Sequence, residues 1–248
     1  MQPTEKEMEA RKRLCLPLDN LDSLDTVKER VEELSPYVGL FKVGKGSYTR
    51  FGPSVVDLVH ESGSSVFLDL KYHDIPATVR DACKAAASLG VYMLNVHASG
   101  GMEMMKAAMA GAVEGTLPGY QRPKVIAVTV LTSIDEETLN GELNVPGKLE
   151  EHVLRLATLA QKAGLDGIVC SANDLGYIKP HLPEDFMYVT PGIKGVTSEA
   201  GSDQARVSSP SGAMAAGSSI LVVGRAITGA PDRKEAAYEI LQDMAKGL

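Results

Sequence analysis

Asp69, Lys71 and Asp74 stand at the spacing D-x-K-x-x-D inside the string FLDLKYHDIPATV (67–79). A lysine flanked by carboxylates is held as an ammonium ion. In that form it is a poor Schiff-base nucleophile but a well-placed proton donor. The carboxylates fix it, and one of them can also crowd an anionic group on a substrate. Two more ionisable residues, Asp19 and Lys42, stand at or near the ends of apolar runs earlier in the chain. Together these groups suit proton delivery beside an anionic group.

Such groups need a frame, and the chain supplies a regular one. Short apolar runs occur at 14–19, 39–44, 65–71, 91–97, 124–132, 167–170, 187–190 and 219–224. Amphipathic stretches lie between them, at 24–34, 53–61, 77–89, 102–113 and 149–163. Strand and helix alternating in this way predict a parallel sheet. Eight such units in 248 residues predict an α/β protein of the closed (β/α)8 kind, a TIM barrel, which typically takes about 250 residues. No G-x-G-x-x-G follows the first run, which weighs against an open dinucleotide-binding sheet. The expected organisation is one domain over 1–248, with 1–12 as a polar N-terminal extension.

Chemistry in a barrel sits at the C-terminal ends of the strands. Those ends are polar although the runs leading to them are apolar: Asp19, Lys42, Asp69, Lys71, His97, Thr132, Ser171, Thr190 and Gly224. Period-2 alternation places Phe67, Asp69 and Lys71 on one face and Val66, Leu68 and Leu70 on the other. The same register turns Cys15, Pro17 and Asp19 inward, and likewise Leu40, Lys42 and Gly44. Four charged groups at an apolar rim are costly unless paired or used. Two structural ion pairs would also account for them, but two pairs at three adjacent strand ends, with Asp74 following, favour function. His97, in NVHASGG, reads as a packing or hydrogen-bonding residue below the site.

Composition limits the partners. Hydrophobic residues make up 44% and charged ones 23% of the chain, ordinary for a globular protein with a core. A net charge of −7 argues against nucleic-acid binding. Cys15, Cys83 and Cys170 match no metal spacing and read as buried, reduced thiols. The polar start MQPTEKEMEARKR carries no apolar signal segment, and no stretch reaches the ~18 apolar residues of a membrane span. A cytoplasmic enzyme without membrane contact is expected. The stretch 195–206, GVTSEAGSDQAR, lacks periodicity and reads as a lid loop.

D-x-K-x-x-D also occurs in phosphosugar-acting barrels, but the longer string narrows the choice. With VLTS (130–133), TPGIK (190–194), DQ-A-R (203–206) and VVGR (222–225), the chain closely resembles the orotidine 5′-phosphate decarboxylase family over nearly its whole length. The resemblance implies a cofactor-free, metal-free homodimer with shared active sites that converts orotidine 5′-phosphate to UMP in pyrimidine nucleotide synthesis. Lys71 would protonate C6 after CO2 leaves, and Asp69 would lie beside the substrate carboxylate. Asp74 would enter the neighbouring subunit's site and complete a Lys42–Asp69–Lys71–Asp74 array. Asp19 and Lys42 would bind the ribose hydroxyls. Ile75 and Thr78 would belong to the substrate site, Thr78 from across the interface. Thr132 would lie by the pyrimidine. Gln204 would bridge base and phosphate from the lid. Pro191, Lys194, Gly224 and Arg225 would line the phosphate end. There, a glycine permits close backbone approach and an arginine can hold phosphate in a bidentate way.

Two positions depart from the family pattern. Lys194 stands where the family commonly has Arg, keeping charge but losing the fork. Ala226 stands where a Pro is usual. The nearest rival is a metal-dependent phosphosugar decarboxylase or aldolase, which would need Mg2+ and acidic ligands on neighbouring strand ends. Near the end of the second run stands Lys42 instead. A barrel that binds a nucleotide without turning it over would lack catalytic residues that are all present here.

Overall fold

A computed structural model of the chain describes residues 3–193, 195 and 209–248. Eight parallel strands close on themselves in sequence order, β1 (Leu14–Pro17), β2 (Leu40–Gly44), β3 (Ser65–Tyr72), β4 (Met93–His97), β5 (Lys124–Val128), β6 (Gly167–Val169), β7 (Met187–Pro191) and β8 (Ile220–Val222). Helices follow the strands, so the fold is a single-domain (β/α)8 TIM barrel. All eight apolar runs become strands. The fifth is shorter than its sequence implies: it ends at Val128, and Thr132 lies in the turn beyond it. β-branched residues extend the apolar pattern past 128, but the ladder to β6 runs only from Ile126 to Val128.

The core has two compartments, set by the pleat. Inward residues Cys15, Leu40, Phe67, Met93, Ile126, Val189, Ile220 and Val222 fill the barrel. Outward residues such as Leu16, Phe41, Leu68 and Leu94 pack beneath the helices. Filling the interior with apolar side chains makes the barrel a solid plug. Polar groups therefore sit on an apolar floor.

The polar start of the chain contains a helix, Glu5–Arg13. Thr4 caps it in a reciprocal box with Glu7, acidic residues occupy its first turn and basic ones its last, as the helix dipole favours. It buries Ala10 and runs straight into β1, at the end of the barrel away from the strand C-termini. The low mean apolarity of residues 5–13 hides this helix from a periodicity search, because capping and charge order carry it. At the same end Arg122 forms a bidentate pair with Asp166, at 2.7 and 2.8 Å, and Asp166 also accepts the Val125 N–H. Cys15, Cys83 and Cys170 are free and buried. Among the described residues no helix is long and apolar enough to cross a membrane.

Candidate active site

The charged groups meet where β1, β2 and β3 end. Lys42 of β2 reaches Asp19 at 3.2 Å and Asp69 at 3.1 Å. Lys71 of β3 reaches the other oxygen of Asp69 at 2.5 Å. Asp69 thus bridges two ammonium groups, one on each carboxylate oxygen. Its side chain is 7% exposed, against 12% for Lys42, 27% for Lys71 and 48% for Asp19. Charge burial deepens from Asp19 to Asp69, while Lys71 keeps a face toward the open mouth.

This geometry has local causes. Lys42 and Gly44 point the same way along β2, and a methyl group on Gly44 would stand 2.7 Å from Asp19 Oδ1 and 3.1 Å from Lys42 Nζ. A side chain there would occupy the space of the ion pair. In β3, four steps from Leu68 to Tyr72 run against only two of β4, from Leu94 to Val96. The extra residues form a bulge that holds Asp69, Leu70 and Lys71. Lys71 sits in it at φ 51°. Left-handed backbone is uncommon outside glycine, and among the described residues the other two non-glycine cases are asparagines, which tolerate it. Simple alternation placed Lys71 on the face of Asp69. The structure brings the two together through a bulge, a device that re-aims side chains near active sites.

Asn95 of β4 lies beneath the array and is fully buried. Its Nδ2 donates to Asp69 Oδ1 at 2.6 Å, and its Oδ1 accepts the Lys71 backbone N–H at 2.8 Å. The sequence reading passed over it as a strand residue. The signal available was an asparagine at an inward parity between Met93 and His97.

Electrostatics follows from this packing. Burial alone would raise the Asp69 pKa, but Lys42 and Lys71, with hydrogen bonds from Lys71 and Asn95, bring it below the ordinary carboxylate value. Burial would likewise lower Lys42, yet Asp69 and Asp19 more than compensate and hold it raised. Both groups stay charged. His97 stacks near His73 at 5.4 Å, and burial, then His73, Lys45 and Lys71, lower its pKa. A neutral imidazole beside this cluster fits a packing role.

The remaining candidates divide. Residues 73–78 are all exposed, including Asp74, Ile75 (66% exposed) and Thr78. Asp74 accepts the Ile75 N–H at 2.6 Å, and within this chain no ion pair joins it to Lys71 among the described residues. Thr132 is exposed in its turn. Pro191 ends β7 beside Val222 of β8. Gly224 precedes a short helix, Arg225–Thr228, and Arg225 is exposed at its start. A Cβ on Gly195 would stand 3.4 Å from Ala226 Cβ, so the segments after β7 and β8 adjoin. Lys194 and Gln204, and the stretch read as a lid apart from Gly195, lie outside the described residues.

Residues 12–240 match the model of the Orotidine 5′-phosphate decarboxylase / HUMPS family. The chain belongs to that family. Its relatives include the orotidine 5′-phosphate decarboxylase of Heliobacterium modesticaldum, 44% identical over 97% of this chain and 99% of that one. The orotidine 5′-phosphate decarboxylase of Vibrio cholerae serotype O1 (strain O395) is 49% identical over 88% of this chain and 93% of its own. The solved structure of orotidine 5′-phosphate decarboxylase from Lactobacillus acidophilus matches with a TM-score of 0.83 at 38% identity, covering 93% of this chain and 98% of that one. Within the orotidine 5′-phosphate decarboxylase family the barrel frame is thus shared along the chain, and the array of Lys42, Asp69 and Lys71 stands at its functional end.

Proposed function

We propose that this chain decarboxylates orotidine 5′-phosphate to UMP, with Lys71 delivering the proton to C6, in a metal- and cofactor-free site shared between two copies in the cytoplasm. One observation carries the mechanism: a buried carboxylate, Asp69, is clasped by two ammonium groups at the barrel mouth. When the bond from C6 to the carboxylate breaks, CO2 leaves and the electron pair stays on C6. The ring delocalises that pair poorly. The Lys71 ammonium, already fixed by Asp69, stabilises the developing charge without reorganising. It then transfers its proton to C6 and becomes a neutral amine, which solvent reprotonates.

The other groups bind and orient. Asp19 and Lys42 meet the ribose hydroxyls, and Thr132 lies by the pyrimidine. Pro191, Lys194, Gly224 and Arg225 receive the phosphate, with Gln204 reaching it from the 195–206 loop. This agrees with the phosphate site usual in barrels, after strands 7 and 8. Phosphate binding energy then favours the closed, reactive state. Asp74 and Thr78 serve the neighbouring subunit, and Ile75 between them belongs to the substrate site. Their joint exposure on one short segment supports that assignment. An ammonium cannot ligate a metal, and Asp69 has one on each oxygen, which supports metal-free chemistry.

Loss of orotidine 5′-phosphate absorbance, followed with and without EDTA, tests the reading. Turnover insensitive to EDTA, abolished in a folded Lys71→Ala variant, is expected. Appreciable turnover by Lys71→Ala would refute the role of that lysine.

A further inference from the structure

The backbone conformation of Lys71 has to be held by something. A left-handed non-glycine residue costs about 1–2 kcal/mol and persists only where its surroundings over-determine it. The bulge also takes the Lys71 N–H out of the β3–β4 ladder, because the register passes from Leu68↔Leu94 directly to Tyr72↔Val96. Left unpaired in this partly buried position, that N–H would add a cost of up to ~1–3 kcal/mol. The Asn95 amide meets this demand. Its oxygen takes the Lys71 N–H and its nitrogen binds the Asp69 oxygen that also holds Lys71 Nζ. The orientation of the amide is chemically fixed, since the opposite flip would set NH2 against N–H and oxygen against carboxylate. At neutral pH no other side chain of that size both accepts and donates from one rigid plane without charge.

We propose that Asn95 is a positioning residue for the reaction: by spanning the Lys71 backbone and the Asp69 carboxylate, it locks the bulge from which the Lys71 ammonium is aimed at the substrate. The proposal rests on the function inferred above. It assigns Asn95 no contact with substrate. It explains why a fully buried amide sits in a barrel interior filled mainly by apolar side chains.

The experiment uses the full chain and compares wild type with Asn95→Leu and Asn95→Asp, measuring kcat and KM for orotidine 5′-phosphate and Kd for UMP. Leucine matches the volume but pairs with neither neighbour. Its kcat should fall on the order of 100-fold, the usual effect of misplacing a reacting group by about 1 Å. KM and UMP affinity should stay within about threefold, because phosphate and ribose are bound from other strands. Aspartate keeps an acceptor for the Lys71 N–H but opposes Asp69 with like charge. The groups facing position 95 are Asp69 and Lys71, with Lys42 behind Asp69 and His97 farther along β4. Once protonated, the new carboxyl group both accepts and donates, as the amide does. Asn95→Asp should therefore regain kcat as pH falls, unlike wild type. Wild-type kcat in a folded Leu variant, a parallel loss of UMP binding, or an unchanged pH profile in Asn95→Asp would each overturn the proposal. If the Leu variant does not fold, the isosteric Asp variant decides. Absence of turnover by wild type would instead sink the functional reading, and this proposal with it.

Discussion

Replacing Asp69 with asparagine separates what this carboxylate does for the fold from what it does for the chemistry. The substitution keeps the shape and leaves an oxygen for the Asn95 amide, but removes the charge between Lys42 and Lys71. Breaking a buried ion pair by deleting one partner costs roughly 3–5 kcal/mol. The low end, about 3 kcal/mol, applies here, for two reasons. Lys42 keeps Asp19 at 3.2 Å, and Lys71 is exposed enough to turn to water. For a chain of this size that lowers Tm by about 6–12 °C. Activity should fall further, on the order of 100- to 1000-fold, because a proton donor without its anchor no longer stabilises charge in place. Thermal and urea unfolding at fixed protein concentration measure the first effect, and the decarboxylation assay the second. Lys42→Met added to Asp69→Asn should recover stability, since it removes the lysine left without its buried partner, but should recover no activity. The pH dependence has a definite sign. The native Asp69 pKa is depressed, so its stabilisation is present above the unfolded value near ~3.9 and is lost as pH falls through the native value. The stability gap between wild type and Asp69→Asn should hold from pH 7 to 5 and close only below about pH 4. An Asp69→Asn protein with wild-type Tm at pH 7, or a double variant less stable than the single one, would refute this account.

Three further outcomes are expected. If two copies share their sites as proposed, Lys71→Ala and Asp74→Ala proteins should each be nearly inactive, yet mixing them through unfolding and reassembly should restore about one quarter of wild-type activity, because random pairing would make half the dimers mixed, each with one intact site of two. No recovery, despite heterodimers confirmed by native mass spectrometry, would place Asp74 within its own chain's site. Gly44→Ala should raise KM about tenfold, equivalent to ~1.4 kcal/mol, since the new methyl group intrudes on the Asp19–Lys42 pair; unchanged KM would remove that pair from substrate binding. Lys194→Ala should raise KM and weaken UMP binding, whereas Lys194→Arg should preserve or improve both, and unaltered kinetics in the alanine variant would put this side chain outside the site.

Much of the frame is legible in the sequence because it rests on local patterns. Val66, Leu68 and Leu70 against Phe67 and Asp69 is a period-2 signal that needs no tertiary knowledge, and it gives both the strand and its inner face. The helices Leu24–Leu34 and Leu149–Lys162 follow equally well from their apolar stripes. Glu5–Arg13 does not, because its stability comes from caps and charge order and from packing at the barrel end. The end of β5 is likewise unreadable: Thr129, Val130 and Leu131 have strand-forming side chains, but β6 offers no ladder beyond Val169. Pairing partners, which are distant in sequence, decide where a strand stops.

The site divides along the same line. Asp19, Lys42, Asp69 and Lys71 are recognisable by type and position, yet what aims them is not. The bulge in β3 is a difference in step count between two strands, visible only once β4 is beside it. Asn95 looks like any polar residue late in a strand until its amide is seen to satisfy both the displaced N–H and the carboxylate. Gly44 is silent for the converse reason, since its contribution is the volume it leaves to a neighbouring ion pair. The charged residues state which chemistry is possible. The residues that make it geometrically feasible are neutral and small, and they follow no repeat. A search for reactive side chains in barrels of this kind should therefore extend to the inward residue on the next strand, where a buried amide or a glycine reports how the reactive group is held.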